Sequence, residues 1–128
     1  MELYVRIHGA DPADALRGYA ERRLRFALGR FTDQIGRVAV LVEDENGPRG
    51  GLDKVCRIRA EVAHYGHFVF QESVDTTLQA AIDDAADRIG RTVARELRRE
   101  RDGWKRRETI RLYADAIANA AGDEKSGT

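Results

Sequence analysis

Residues 77–101 predict a single helix whose two faces differ sharply in chemistry. The basic face carries arginines spaced by three or four residues: Arg88, Arg91, Arg95 and Arg98. The apolar face repeats at the same spacing: Ile82, Ala86, Ile89, Val93 and Leu97. Like charges at these spacings destabilise an isolated helix by a few tenths of a kcal/mol per pair. The arginine row therefore indicates a partner outside the helix, and a polyanion that offers phosphates is the natural candidate.

A solvated charged surface is the alternative explanation of this row. Asp84 and Asp87 precede Arg88 and Arg91 by four residues, the favourable orientation for helix ion pairs, and cations near a helix C-terminus complement its dipole. From residue 95 onward, however, the arginines outnumber the neighbouring glutamates. The alternative explains the first half of the row better than the second.

A second basic row is predicted on an earlier helix. Between residues 14 and 31 there are five arginines against two acidic residues, a local charge of +3. Tyr19, Arg23, Phe26 and Arg30 fall on one stripe beside the apolar face, and aromatic rings interleaved with arginines suit RNA, because rings stack on bases while guanidinium groups hold phosphates. The competing interpretation is that the two rings pack at the edge of the core.

The histidines give only a weak metal signal. His64 and His67 flank a predicted hairpin turn, and His8 can lie near them, but no cysteine or carboxylate cluster accompanies them in the sequence. Exposed turn residues are the better interpretation, and we predict no metal site.

Catalysis has little support in the sequence. Asp83, Asp84 and Asp87 precede arginines by one helical turn, which favours ion pairs over acid/base chemistry. Cys56 is the only cysteine and lies in a strand-like run, so we expect a buried core residue. Since no nucleophile motif or phosphate-cradling loop is present, we predict neither an enzyme nor a cofactor.

Hydropathy patterns predict the order β-α-β-β-β-α. Strands are predicted for residues 3–8, 38–42, 55–63 and 68–74, the last two joined by a tight turn at 65–66, with a loop over 44–53. The first helix is expected to be capped by Asp11, to have Pro12 in its first turn and to run to about residue 31. The second is expected to be capped by Asp75, Thr76 or Thr77 and to end near Gly103.

This order indicates an α+β fold, a two-layer sandwich in which both helices pack on one face of a four-stranded sheet. Because both helices bury their apolar stripes against the sheet, both arginine rows point away from it. The two rows would then form one continuous basic surface.

Composition suits one domain with a short tail. The chain has 128 residues, of which 42% are hydrophobic and 34% charged, and its formal net charge of zero hides a local charge of +6 over residues 88–107. No secretory leader or membrane span is predicted, so we expect a soluble cytoplasmic protein. We place the domain at residues 1–103 and the tail at 104–128, with a short third helix around residues 110–117 and a disordered end from residue 122.

The second helix also carries a recognisable pattern. Ala80-Ala81-Ile82-Asp83 is followed by Asp87-Arg88-Ile89, then by Arg91 and Arg95, and the first helix adds Leu16-Arg17 and Arg23-Leu24. With the element order, this resembles the ribosome hibernation promoting factors and ribosome-associated inhibitors, also called protein Y or sigma-54 modulation proteins, in a short form. In the first helix, Phe26 stands where the family pattern usually has a lysine.

The resemblance implies a stress-response factor that binds ribosomal RNA of the small ribosomal subunit, in the channel for messenger and transfer RNA, and inhibits translation. The RNA-binding residues would be Arg22, Arg23, Arg25, Arg30, Arg88, Arg91, Arg95, Arg98 and Arg99. A general RNA-binding module and a regulator that binds an acidic protein stay open as alternatives. We expect no membrane or small-molecule partner and leave self-association through a strand edge open.

Overall fold

A computed structural model describes residues 1–9, 13–45, 53–62 and 67–126, with side chains described as far as residue 120. The strands are β1 (Glu2–His8), β2 (Ile35–Asp44), β3 (Lys54–Val62) and β4 (His67–Asp75). The helices are α1 (Ala13–Leu28) and α2 (Leu78–Ser126), and a short 3₁₀ helix (Gly29–Gln34) follows α1. The predicted order β-α-β-β-β-α and the α+β class are confirmed.

The four strands form one mixed sheet in the order β1-β2-β3-β4. β1 pairs in parallel with β2, whereas β2 with β3 and β3 with β4 are antiparallel. A parallel pair needs a crossover connection, and α1 with its 3₁₀ extension supplies it. Alternation along each strand then places one set of side chains on the helix side of the sheet and the other on an open face.

The core lies between the sheet and the two helices. Val40 pairs with Val5 on one side and with Ile58 on the other, which aligns apolar side chains across three strands. Fully buried residues from both helices cover this row: Ala20, Leu24, Leu28, Ile82, Ala86, Ile89 and Val93. The spacing of three and four residues along each helix therefore marks its buried stripe, as the sequence predicted.

Thr77, one of the three predicted caps, caps the N-terminus of helix α2. The Thr77 hydroxyl oxygen accepts a hydrogen bond from the backbone N–H of Ala80 at 3.1 Å, which satisfies one of the free donors of the first turn. The predicted cap of α1 at Asp11 and Pro12, the 65–66 turn and most of the 44–53 loop lie outside the described residues.

The predicted ends of both helices need correction. The α-helical part of α1 stops at Leu28, and the chain continues as a 3₁₀ helix rather than as an α-helix to residue 31. Gly103 does not end α2, which continues to Ser126. The residues predicted to form a separate third helix are therefore part of α2, and so are those predicted to be disordered as far as residue 126. Among the described residues only Gly9 has a positive φ, 72°. Gly103 thus lacks the left-handed conformation of a glycine stop.

The chain divides into two compact units, residues 1–95 and 96–128. The first unit contains the sheet, α1 and the first part of α2. The second unit contains the rest of α2. No helix in the described part of the chain combines the length and apolarity needed to cross a bilayer. The division into a ribosome-binding domain and a tail at residue 103 stays a prediction.

Candidate nucleic-acid interface

Helices α1 and α2 lie side by side and run in the same direction within the first unit. Tyr19 contacts Asp83 and Arg23 contacts Asp87, and each pair is separated by 64 residues. A constant offset means that the helices advance together. One turn further on, a Cβ at Gly90 would lie 3.2 Å from the carbonyl oxygen of Ala27, so the backbones approach closely there. This packing holds the two predicted arginine rows on adjacent helices.

Arg23 sits in the seam between the helices and is engaged there. Its Nε donates to Asp83 Oδ1 at 2.8 Å and its terminal nitrogen donates to Asp87 Oδ1 at 2.9 Å. The Tyr19 hydroxyl donates to the same oxygen of Asp83, and this hydrogen bond is the main reason that the pKa of Tyr19 is raised. Only 24% of the Arg23 side chain is exposed. The structure therefore places Arg23, a predicted RNA-binding residue, in an interhelical ion-pair network.

This network was not predicted, although the sequence carries a signal for it. Tyr19 and Arg23 are four residues apart on α1, and Asp83 and Asp87 are four residues apart on α2. Matched spacings of this kind allow two complementary pairs to form across parallel helices. Asp87 was expected to pair with Arg91 on its own helix, but Arg23 takes it instead.

The other arginines of the first row are exposed. Arg22 and Arg25 have exposed side chains, and neither forms an ion pair with another described residue. Arg30 lies in the 3₁₀ helix, where its guanidinium carbon stands 4.7 Å from the centre of the Phe31 ring. Phe26 is 84% exposed, so its ring is available to solvent instead of packing at the core edge.

The second row begins with a paired arginine, and the next two arginines form no ion pair with a described residue. Arg88 Nε lies 3.2 Å from Asp84 Oδ1, as the four-residue spacing predicted. Arg91 and Arg95 are exposed, and neither has an ion-pair partner in the described part of the chain. The first unit thus presents exposed cations on both helices, on either side of a seam that contains two aspartates.

Arg98 and Arg99 belong to the second unit and are also exposed. Arg99 lies 3.6 Å from Glu96, whereas Arg98 forms no ion pair with any described residue. Their predicted role in RNA binding stays a prediction.

The groups considered for other chemistry are accounted for differently. Each of Asp83, Asp84 and Asp87 forms an ion pair with an arginine, in agreement with the predicted structural role. Cys56 is fully buried, and this burial raises the pKa of its thiol to about 12, which removes the thiolate that a nucleophile requires. His8 is exposed and His67 half-buried, and His64 lies outside the described residues.

The open face of the sheet is a second surface, and no binding role was predicted for it from the sequence. A shallow groove crosses all four strands there and is lined by Tyr4, Leu41, Arg57 and Phe70 among others. Arg57 is held between Glu43 at 3.1 Å and Glu72 at 2.7 Å. These acids offset the charge of Arg57, whereas Arg6 and Arg59, which also line the groove, form no ion pair with a described residue.

Comparison with known proteins gives a consistent answer. The sequence model of the family described as "Sigma 54 modulation protein / S30EA ribosomal protein" matches residues 3–101. The N-terminal domain of Protein Y from Thermus thermophilus is similar at 28% identity and a TM-score of 0.59, covering 74% of this chain and 98% of that domain. A ribosomal subunit interface protein from Coxiella burnetii shares the fold at 15% identity and a TM-score of 0.60, covering 75% of this chain and 97% of that one. No curated protein matches the sequence.

Proposed function

The chain belongs to the sigma-54 modulation protein and S30EA ribosomal protein family, and from this premise we propose that it binds the small ribosomal subunit through ribosomal RNA. The family is one of ribosome-associated modulation factors, which supports a ribosomal partner and a binding role in place of catalysis. A ribosomal partner also implies that the protein acts in the cytoplasm.

The observation that carries the proposal is the pair of exposed arginine rows on α1 and α2. Arg22 and Arg25 on one helix and Arg91 and Arg95 on the next lack ion-pair partners among the described residues, although three aspartates lie nearby on α2. An arginine whose charge is not used within the protein is available for a bidentate contact with a phosphate. Two neighbouring rows suit a folded RNA with phosphates on more than one strand.

Arg23 contributes in a different way from its neighbours. Its hydrogen bonds to Asp83 and Asp87 neutralise much of the acidic seam and fix the spacing of the two helices. We therefore propose that Arg23 positions the rows, while direct phosphate contacts come from the exposed arginines.

We place the bound protein in the channel for messenger and transfer RNA, where it would inhibit translation and preserve idle ribosomes. The support is the family membership together with the helix pattern from Ala80 to Arg95. Occupation of the channel predicts competition: prior binding of messenger and transfer RNA to the small subunit should reduce binding of this protein. Equal binding to empty and filled subunits would contradict this location.

Co-sedimentation with purified small subunits at several salt concentrations tests the arginine site. Arg91→Gln should weaken binding and lower the slope of log K against log salt by about one. Arg37→Gln, which removes an equal charge from an exposed position near the start of β2, where Arg37 lies 3.7 Å from Glu2, is the control and should leave the slope unchanged. No co-sedimentation of the unaltered protein at low salt would refute the proposal.

Two further binding experiments distinguish ribosome docking from the alternatives. Equal affinity for any RNA duplex would indicate a general RNA-binding module. A pull-down that survives nuclease and contains an acidic protein would indicate a protein regulator. Either result, without binding to the subunit, would contradict ribosome docking.

A further inference from the structure

The second unit carries an exposed basic and aromatic segment that the proposed two-helix site does not use. Residues 104–113 contain four basic residues against a single acidic one, Glu108. Every described side chain from residue 104 to residue 107 is exposed, as is every one from 109 to 120. The segment therefore has both charge and ring surface directed at solvent within one stretch of helix.

Trp104 shares a helical stripe with two arginines. Arg107 follows it by three residues and Arg111 by seven, so the three side chains lie along one side of α2. Arg111 pairs with Glu108, whereas Arg107 has no ion pair with a described residue. Arg107 and Arg111 are like charges four residues apart, an arrangement that destabilises a helix by a few tenths of a kcal/mol. A partner with negative charge would remove this cost.

The exposed rings distinguish one kind of polyanion from others. Trp104 is 58% exposed and Tyr113 is 71% exposed. An acidic protein surface offers charge but few flat apolar partners for an indole ring, whereas every nucleic-acid base offers one. Bases within a duplex are already stacked on each other, so an indole can stack fully only on the unpaired bases of a single strand.

We infer that residues 104–113 of α2 form a binding site for single-stranded RNA, in which Trp104 stacks on a base and Arg107, one turn further along the same stripe, holds the adjoining phosphate. This site stands on residues of the second unit alone and goes beyond the function proposed above. It assigns a role to the part of the chain that follows the family match, which ends at residue 101.

Trp104 is the only tryptophan of the chain, so its fluorescence reports on this site without a label. Titration with a single-stranded oligouridine should quench the emission in a saturable way, and a duplex of equal length should quench it less at equal phosphate concentration. Polyglutamate should have little effect, because it carries charge without bases. Quenching by polyglutamate or duplex equal to that by the single strand would overturn the inference.

Two substitutions of equally exposed residues test the stacking step. Trp104→Ala should weaken binding of a dye-labelled oligouridine about tenfold, in the range found for stacked bases. Leu112→Ala is the matched control, since Leu112 is also 58% exposed on the same helix but has no ring. Equal affinities of the two variants would contradict stacking by Trp104.

The ribosome experiment distinguishes this site from the two-helix site. Arg91→Gln should weaken co-sedimentation with small subunits while leaving the oligouridine quenching unchanged. Arg107→Gln should lower the salt slope of oligouridine binding by about 0.7. If subunit binding fails while Trp104 is quenched normally, the first proposal fails and this one stands; normal subunit binding without quenching gives the reverse.

Discussion

Arg23 of α1 donates a 2.8 Å hydrogen bond from its Nε to Asp83 of α2, and its terminal nitrogen reaches Asp87 one turn further along. The ion pair therefore connects two turns of α2 to a single residue of α1. Since Asp83 also accepts a hydrogen bond from the Tyr19 hydroxyl, two side chains of α1 meet at one carboxylate of α2. This geometry makes the contacts of Arg23, one of the predicted RNA-binding arginines, differ from those of Arg22 beside it.

Arg22→Gln and Arg23→Gln should have opposite profiles. Arg23→Gln removes the cation between two aspartates and should lower the free energy of unfolding by about 1 kcal/mol, a value reduced by the partial exposure of all three side chains. Arg22→Gln should change stability by less than about 0.5 kcal/mol, but should lower the salt slope of ribosome binding by about one. Urea denaturation and co-sedimentation measure the two effects. Equal loss of stability in both variants would show that Arg23 is not a structural residue.

Gly90 and Gly103 provide a matched pair of substitutions in the same helix. Gly90 is buried, and a Cβ there would lie 3.2 Å from the Ala27 carbonyl oxygen, which cannot move without displacing α1. Gly90→Ala should therefore lower the free energy of unfolding by about 1–2 kcal/mol, even though alanine favours a helix more than glycine does. At Gly103 the nearest atom is the end of the flexible Arg107 side chain at 3.5 Å. Gly103→Ala should stabilise the helix by about 0.5–1 kcal/mol.

Denaturant unfolding followed by circular dichroism measures the loss of stability in Gly90→Ala. Amide hydrogen exchange around residue 103 measures the local stabilisation of the helix in Gly103→Ala. Stabilisation by both substitutions would mean that α1 and α2 are not in close contact at Gly90.

The Cys56 thiol should make stability fall at alkaline pH. Burial raises its pKa from 9.0 to about 12, so the unfolded chain loses this proton at a lower pH than the folded chain. The contribution of the protonated thiol to the free energy of unfolding is complete below pH 9. It is lost as the pH rises between the two pKa values, by up to about 1.4 kcal/mol per pH unit. Cys56→Ala should show a shallower decline across this range than the unaltered chain. Parallel stability curves for the two proteins would contradict the raised pKa.

The periodicity of the sequence was sufficient to predict the element order and the buried stripes, because burial on one face imposes a strict pattern on each helix and strand. It was not sufficient for Arg23, whose partners lie on another helix and depend on the offset between α1 and α2. Nor did it predict the helical continuation past Gly103. A single glycine costs a helix only about 1 kcal/mol relative to alanine, which the alanine-rich sequence after it can offset.

The arginine rows illustrate the same division. Exposure of Arg91 and Arg95 followed from their place opposite the apolar stripe, since a helix fixes these angles locally. Tertiary contacts determine which arginines form ion pairs. Asp87 pairs with Arg23 of α1 and not with Arg91 of its own helix. The sequence was therefore sufficient to predict which arginines are exposed, but not which of them form ion pairs within the protein.

Phe26→Lys should increase the affinity for small subunits. Phe26 is 84% exposed on α1 among the exposed arginines, so a lysine there adds a charge to the basic surface without removing a buried contact. The salt slope should rise by about one. Phe70→Lys makes the same chemical change at a 68% exposed position on β4, on the open face of the sheet, and controls for the gain in net charge. Co-sedimentation across a salt series measures both. If the subunit docks on the helix face, only Phe26→Lys tightens binding; equal gains would mean that general charge attraction, and not this surface, determines affinity.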